Sequence, residues 1–146
     1  SNVIHSSTRA GVLVYGEGSC AVLKSNVIFD GLREGVLITG RAKATLDNNT
    51  VFGNGLAGVS IAMHANVTLV ENVIEGNAAR ACQSPWRGDN VPDCLVPGIL
   101  ITESSTVNMP PGSNTVQGNG KPGSIGEQVI TGARGVELFG FTVGVD

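Results

Sequence analysis

Six residues carry the clearest chemistry in this 146-residue chain: Arg9, Arg33, Arg80, Trp86, Arg87 and Lys121. Arginine forms planar, two-point hydrogen bonds with carboxylates, and tryptophan offers a flat face to a sugar ring. Brought together, they would hold an acidic polysaccharide. The alternative is a solvated corner at which Glu34, Asp89 and Asp93 neutralise the arginines, since exposed charges are usually plain surface. Other reactive types are sparse. Only His5 and His64 are histidines, and no aspartate cluster lies near either in sequence, so no metal site and no cofactor are expected. The carboxylates Asp30, Glu34, Asp47, Glu71 and Glu75 are scattered, whereas glycoside hydrolysis needs a facing pair.

Whether those six residues meet depends on a repeat. Asn-Val-Ile occurs at Asn2, Asn26 and Asn72, and Asn-Thr-Val at Asn49 and Asn114. Each phrase leads to a glycine and an alternating apolar triplet: Gly11-Val12-Leu13-Val14, Gly35-Val36-Leu37-Ile38, Gly58-Val59-Ser60-Ile61 and Gly98-Ile99-Leu100-Ile101. A second apolar pair follows, Ala21 with Leu23, Ala44 with Leu46 and Val67 with Leu69. Period-two alternation marks strands with one buried face, and a fixed period of this size marks a stacked solenoid.

Three short strands per turn predict an all-β, single-stranded, right-handed parallel β-helix. About five coils of about 23 residues are expected, with equivalent residues in columns about 4.8 Å apart. Val14, Ile38, Ile61, Ile101 and Ile130 should form one internal column. Leu23, Leu46, Leu69, Met109 and Leu138 should form another. Asn2, Asn26, Asn49, Asn72 and Asn114 should form a structural ladder of amides, because buried polar groups need partners.

The phrase from Asn49 to Ile61, N-x-[IV]-x-x-[ND]-x-x-x-G-[VI]-x-[IV], resembles the right-handed parallel β-helix repeat superfamily. That group takes in pectin-lyase-like enzymes, carbohydrate-binding and sugar-hydrolase repeat domains, periplasmic copper-delivery accessory proteins and alginate epimerases. The resemblance implies the fold across nearly the whole chain. It implies no single activity, because every matched position is scaffold. The uronate lyases of this fold use clustered carboxylates for calcium with an Arg or Lys base, and that cluster is not evident here. The acid-histidine-acid motif of the epimerases is absent, with Asn90-Val91-Pro92-Asp93 only a faint echo.

Departures from the repeat mark candidate function. Residues 78–97 form an inserted loop holding the sole tryptophan and two of the three cysteines. Column alignment places Arg9, Arg33, Leu56, Ala79 and Lys121 at the corner from which this loop leaves. Cys20 lies rungs away, so Cys82 with Cys94 is the expected disulfide, worth roughly 3 kcal/mol by loop closure. The alternative is three reduced cysteines. The loop also contains Arg87-Gly88-Asp89, an adhesion tripeptide that recurs by chance, so integrin-type contact is not expected. A second column, Glu17, Arg41, His64 and Ser104, reads as a surface charge ladder. His5 falls in an outward column with Phe29, Phe52, Glu75 and Gln117.

A single domain over 1–146 is expected, and since the chain opens and closes inside a repeat, it reads as a segment of a longer protein. Net charge −3 argues against nucleic acid, and no apolar run is long enough for membrane insertion. A disulfide implies a secreted, periplasmic or cell-surface setting. The expected function is a non-catalytic, carbohydrate-associated β-helix segment with a polysaccharide partner. The alternatives are a fragment of a polysaccharide lyase, hydrolase or epimerase, and a structural stalk or adhesin. In the last rung Phe141 takes an asparagine position, so distortion is expected there.

Overall fold

The computed structural model describes residues 1–78, 97–120, 129–132 and 137–139. The chain winds as a parallel β-solenoid. Coil one contains β1 (Val3–His5), β2 (Val12–Tyr15) and β3 (Cys20–Lys24). Coil two contains β4 (Val27–Phe29), β5 (Val36–Thr39) and β6 (Lys43–Asp47). Coil three contains β7 (Thr50–Phe52), β8 (Val59–Ile61) and β9 (Asn66–Val70). Beyond these come β10 (Val73–Glu75), β11 (Ile99–Thr102), β12 (Thr106–Asn108), β13 (Thr115–Gln117), β14 (Val129–Gly132) and β15 (Glu137–Phe139).

Equivalent strands stack into three parallel sheets. The first is β1-β4-β7-β10-β13, the second β2-β5-β8-β11-β14 and the third β3-β6-β9-β12-β15. Alternation in sequence becomes alternation in space. In β6 the buried Ala44 and Leu46 point inward while Lys43, Thr45 and Asp47 point out. The core is therefore a set of aliphatic columns, such as Ile28, Val51 and Ile74, or Val36, Val59 and Ile99, all at most 1% exposed.

Two expectations need correction. Only the first three coils run at the expected length, so about five coils of about 23 residues is too many. The asparagines that mark coil starts are 24 residues apart, then 23 and 23, and then 42. The inserted segment accounts for the long interval. The last strands also sit in a different register. Ile130 pairs with Leu100, and Val129 takes the place in line with Ile99. The pairing is shifted by one residue from the expected one, so Val129 stands in line with Ile99 and Val59. Leu138 pairs with Val107, in the Ala44–Val67 column, and not with Met109. Phe141, where distortion of the last rung was expected, lies outside the described residues.

Corners between sheets use left-handed backbone. Ser6 and Asp30, at φ 57 and 53, share a corner column with Gly53, Gly76 and Gly118. Ser25, Asn48 and Glu71 occupy an equivalent column at another corner. Left-handed φ is uncommon for residues other than glycine, but the stacked hydrogen bonds impose the same turn in each coil.

Candidate functional site

Two ladders of asparagine hold the corners beside the first sheet. In the expected one, each side-chain amide donates to the asparagine oxygen one coil on. The distances are 3.1 Å from Asn2 to Asn26, 2.9 Å to Asn49, 3.0 Å to Asn72 and 2.9 Å to Asn114. Each acceptor oxygen also takes the main-chain N–H of the preceding coil's asparagine. The spare amide proton finds a carbonyl, as in Asn49 to Leu23 at 2.8 Å and Asn72 to Leu46 at 2.8 Å. These residues are scaffold: Asn49 and Asn72 are 1% exposed.

The second ladder was not anticipated from sequence. Asn54 donates to Asn77 at 3.0 Å and Asn77 to Asn119 at 2.9 Å, with the Gly31 N–H closing the column on Asn54 at 3.0 Å. Its signal is a fixed five-residue offset, Asn49 to Asn54, Asn72 to Asn77 and Asn114 to Asn119. Among the described residues no buried side-chain nitrogen or oxygen lacks a partner.

This second ladder braces the corner that carries the candidate site. Directly after it the chain makes a close approach at Gly11, Gly35, Gly58 and Gly98. An added Cβ at Gly35 would meet Val51, the Gly58 oxygen at 2.7 Å and the Asn54 amide nitrogen at 2.9 Å. Backbone pairing of Gly11 N–H with the Glu34 oxygen, 3.0 Å, brings Arg9 alongside Arg33 one coil away. Together with Ala10, Leu13, Glu34 and Leu37 they line a groove of about 530 Å³. Leu13 is 59% exposed, so the groove presents apolar surface beside the two arginines. Arg33 Nε lies 3.4 Å from Glu34 Oε2, while no ion pair is formed by Arg9 among the described residues. The next residue along this column is the uncharged Leu56, whose N–H donates to the Arg33 oxygen at 3.2 Å. The basic edge thus spans two adjacent coils.

Of the six residues singled out by chemistry, Arg9 and Arg33 are brought together. Arg80, Trp86, Arg87 and Lys121 lie outside the described residues, as do Cys82, Cys94 and the Arg87-Gly88-Asp89 string. Cys20 is a free, exposed thiol. In the other charged column Arg41 Nη1 reaches Glu17 Oε2 at 3.3 Å with both side chains well exposed, a screened surface pair. A pair that sequence reading did not foresee joins Lys24 Nζ to Asp47 Oδ2 at 2.7 Å. The Asp47 hydrogen bond and charge hold the Lys24 ammonium above the ordinary lysine range. Among the described residues no group of three or more His, Cys, Asp or Glu could hold a metal ion.

The outward column of the first sheet holds a ring stack. His5 lies 5.3 Å from Phe29 at 21°, and Phe29 lies 5.0 Å from Phe52 at 1°. Aromatics at one register in consecutive coils were visible in sequence, but their stacking follows only from the coil spacing.

No curated protein matches the chain, and no solved structure matches it. The family model described as the right handed beta helix region matches residues 1–138. With the sheets, the coil spacing and the amide ladders all in agreement with that match, the chain belongs to the right-handed β-helix family.

Proposed function

We propose that this is a non-catalytic, carbohydrate-associated β-helix segment that binds an acidic polysaccharide along the Arg9–Arg33 corner. The observation that carries the reading is the groove itself, lined by two arginines on successive coils together with Leu13 and Leu37. A uronate chain lying parallel to the solenoid axis would set carboxylates against the guanidinium groups and its C–H faces on the leucines. The groove offers one carboxylate, Glu34, already engaged by Arg33, where glycoside hydrolysis asks for a facing pair. A setting in an exported or cell-surface protein belongs to the same proposal, and rests on the sequence-level pairing of Cys82 with Cys94.

Exposed ion pairs contribute about 0.2–1 kcal/mol each, so each arginine should account for about a 1.4- to five-fold change in affinity. Calorimetric titration with oligogalacturonate tests this. Arg9→Ala and Arg33→Ala should each weaken binding by about that factor, and the double variant by their product. A wild-type chain that binds no uronate oligomer at low salt would exclude the reading. The second reading, a structural stalk, is favoured by the two unbroken amide ladders. It predicts no saturable glycan binding at all.

A further inference from the structure

Two columns change character in the same coils. The outward column of the first sheet runs His5, Phe29, Phe52 and then Glu75 and Gln117, so the ring stack ends at Phe52. The neighbouring corner column runs Ser6, Asp30 and then Gly53, Gly76 and Gly118, so its side chains end where Gly53 begins. The result is a recess of about 580 Å³ lined by Phe52, Gly53, Glu75, Gly76, Gln117 and Gly118.

Packing does not demand glycine at Gly76, and its φ of 60, although it favours glycine, is not confined to glycine in this column. Ser6 and Asp30 adopt the same left-handed φ in the same column. A Cβ built on Gly76 would meet nothing within 4 Å. What the glycines do is keep the recess open beside the ring of Phe52. On its wall the Gln117 amide donates to Glu75 Oε2 at 3.1 Å in a solvent-exposed bond, which sets a carboxylate beside an amide. Among the described residues no ion pair engages Glu75, and none of those that line the recess is a cation.

From this juxtaposition we infer that the recess is a second ligand site, taking an uncharged pyranose unit. Phe52 receives a C–H face of the ring, as aromatic side chains do for sugars, and Glu75 with the Gln117 carbonyl accepts hydrogen bonds from adjacent hydroxyls. Carboxylate without a cation disfavours an anionic sugar, so the ligand class is opposite to that of the Arg9–Arg33 groove. This inference stands on different residues from the proposed function and survives or fails apart from it.

The test is amide chemical-shift titration of the whole chain with cellopentaose, maltopentaose and mannopentaose, with oligogalacturonate in parallel. At least one neutral pentasaccharide should shift the Gly53, Gly76 and Gly118 amides. Gly76→Asn fills the recess with a residue that tolerates left-handed backbone. It should lower that affinity more than tenfold while leaving the spectrum elsewhere and the response to oligogalacturonate unchanged. Glu75→Gln, which keeps the shape, should weaken it several-fold. No response to any neutral oligomer, or a response that Gly76→Asn leaves intact, overturns the assignment.

Discussion

Replacing Asn49 by alanine should cost about 2–4 kcal/mol, because one side chain serves several buried groups. Its oxygen accepts the Asn26 main-chain N–H at 3.0 Å and the Asn26 side-chain amide at 2.9 Å. Its nitrogen donates to Asn72 at 3.0 Å and to the Leu23 carbonyl at 2.8 Å. The substitution leaves the Asn26 N–H with no acceptor in a corner where Asn26 is 5% exposed. Such an orphan costs about 1–3 kcal/mol, and the lost side-chain bonds add about 0.5–1.5 kcal/mol. The Asn72 oxygen keeps its bond from the residue-49 main chain, which limits the total. Urea denaturation gives the midpoint and slope, with Asn66→Ala as control. Asn66 is exposed on an outward position of β9, so that change should stay within about 0.5 kcal/mol. Solenoids can unfold coil by coil, so hydrogen exchange should accompany the melt and show the loss centred on Asn26 and Asn49. A loss below about 1 kcal/mol, or one equal to the Asn66 control, would refute the reasoning that the ladder is a buried, mutually dependent network.

Asn54→Ala should cost a similar 2–4 kcal/mol, read by the same melt, because it orphans the Gly31 N–H and breaks the bond to Asn77. Gly35→Ala should destabilise by about 1–3 kcal/mol through overpacking against Val51 and the Gly58 oxygen; an unchanged midpoint would mean that the corner can yield. Lys24 should titrate above the ordinary lysine range when its ε-methylene shifts are followed by NMR. Because the folded pKa is raised, the Lys24–Asp47 contribution is fully present at neutral pH and disappears as pH rises through the folded value. Oligogalacturonate affinity should fall steeply between 0.05 and 0.5 M salt, values spanning Debye lengths of roughly 14 to 4 Å, and a flat dependence would remove the arginines from the account.

The scaffold was legible because each coil repeats the same local instructions. Asn-Val-Ile, a glycine and an apolar alternation recur, and stacking converts recurrence into columns without any long-range inference. Asn2, Asn26, Asn49, Asn72 and Asn114 form the expected ladder for that reason. The second ladder was less legible because its asparagines open no apolar phrase, although Gly-Asn recurs at residues 53–54, 76–77 and 118–119. The last coil misled because single-residue spacing decides which face a strand presents, and the segment between Asn119 and β14 departs from the repeat. At the site, alignment of the repeats was enough to bring Arg9 beside Arg33. It could not show that Leu13 and Leu37 line a groove with them, since outward leucines read as ordinary surface. The recess beside Phe52 was harder still, because it depends on side chains that are missing from Gly53, Gly76 and Gly118.

The central claim is that the basic corner recognises an anionic glycan. Amide chemical-shift mapping with oligogalacturonate at low salt tests it most directly. The account predicts saturable shifts centred on Arg9, Ala10, Leu13, Arg33, Glu34 and Leu37, reversed by salt and lost in the Arg9→Ala, Arg33→Ala double variant. Saturable shifts on another face that persist in the double variant, or none at any concentration, would contradict it.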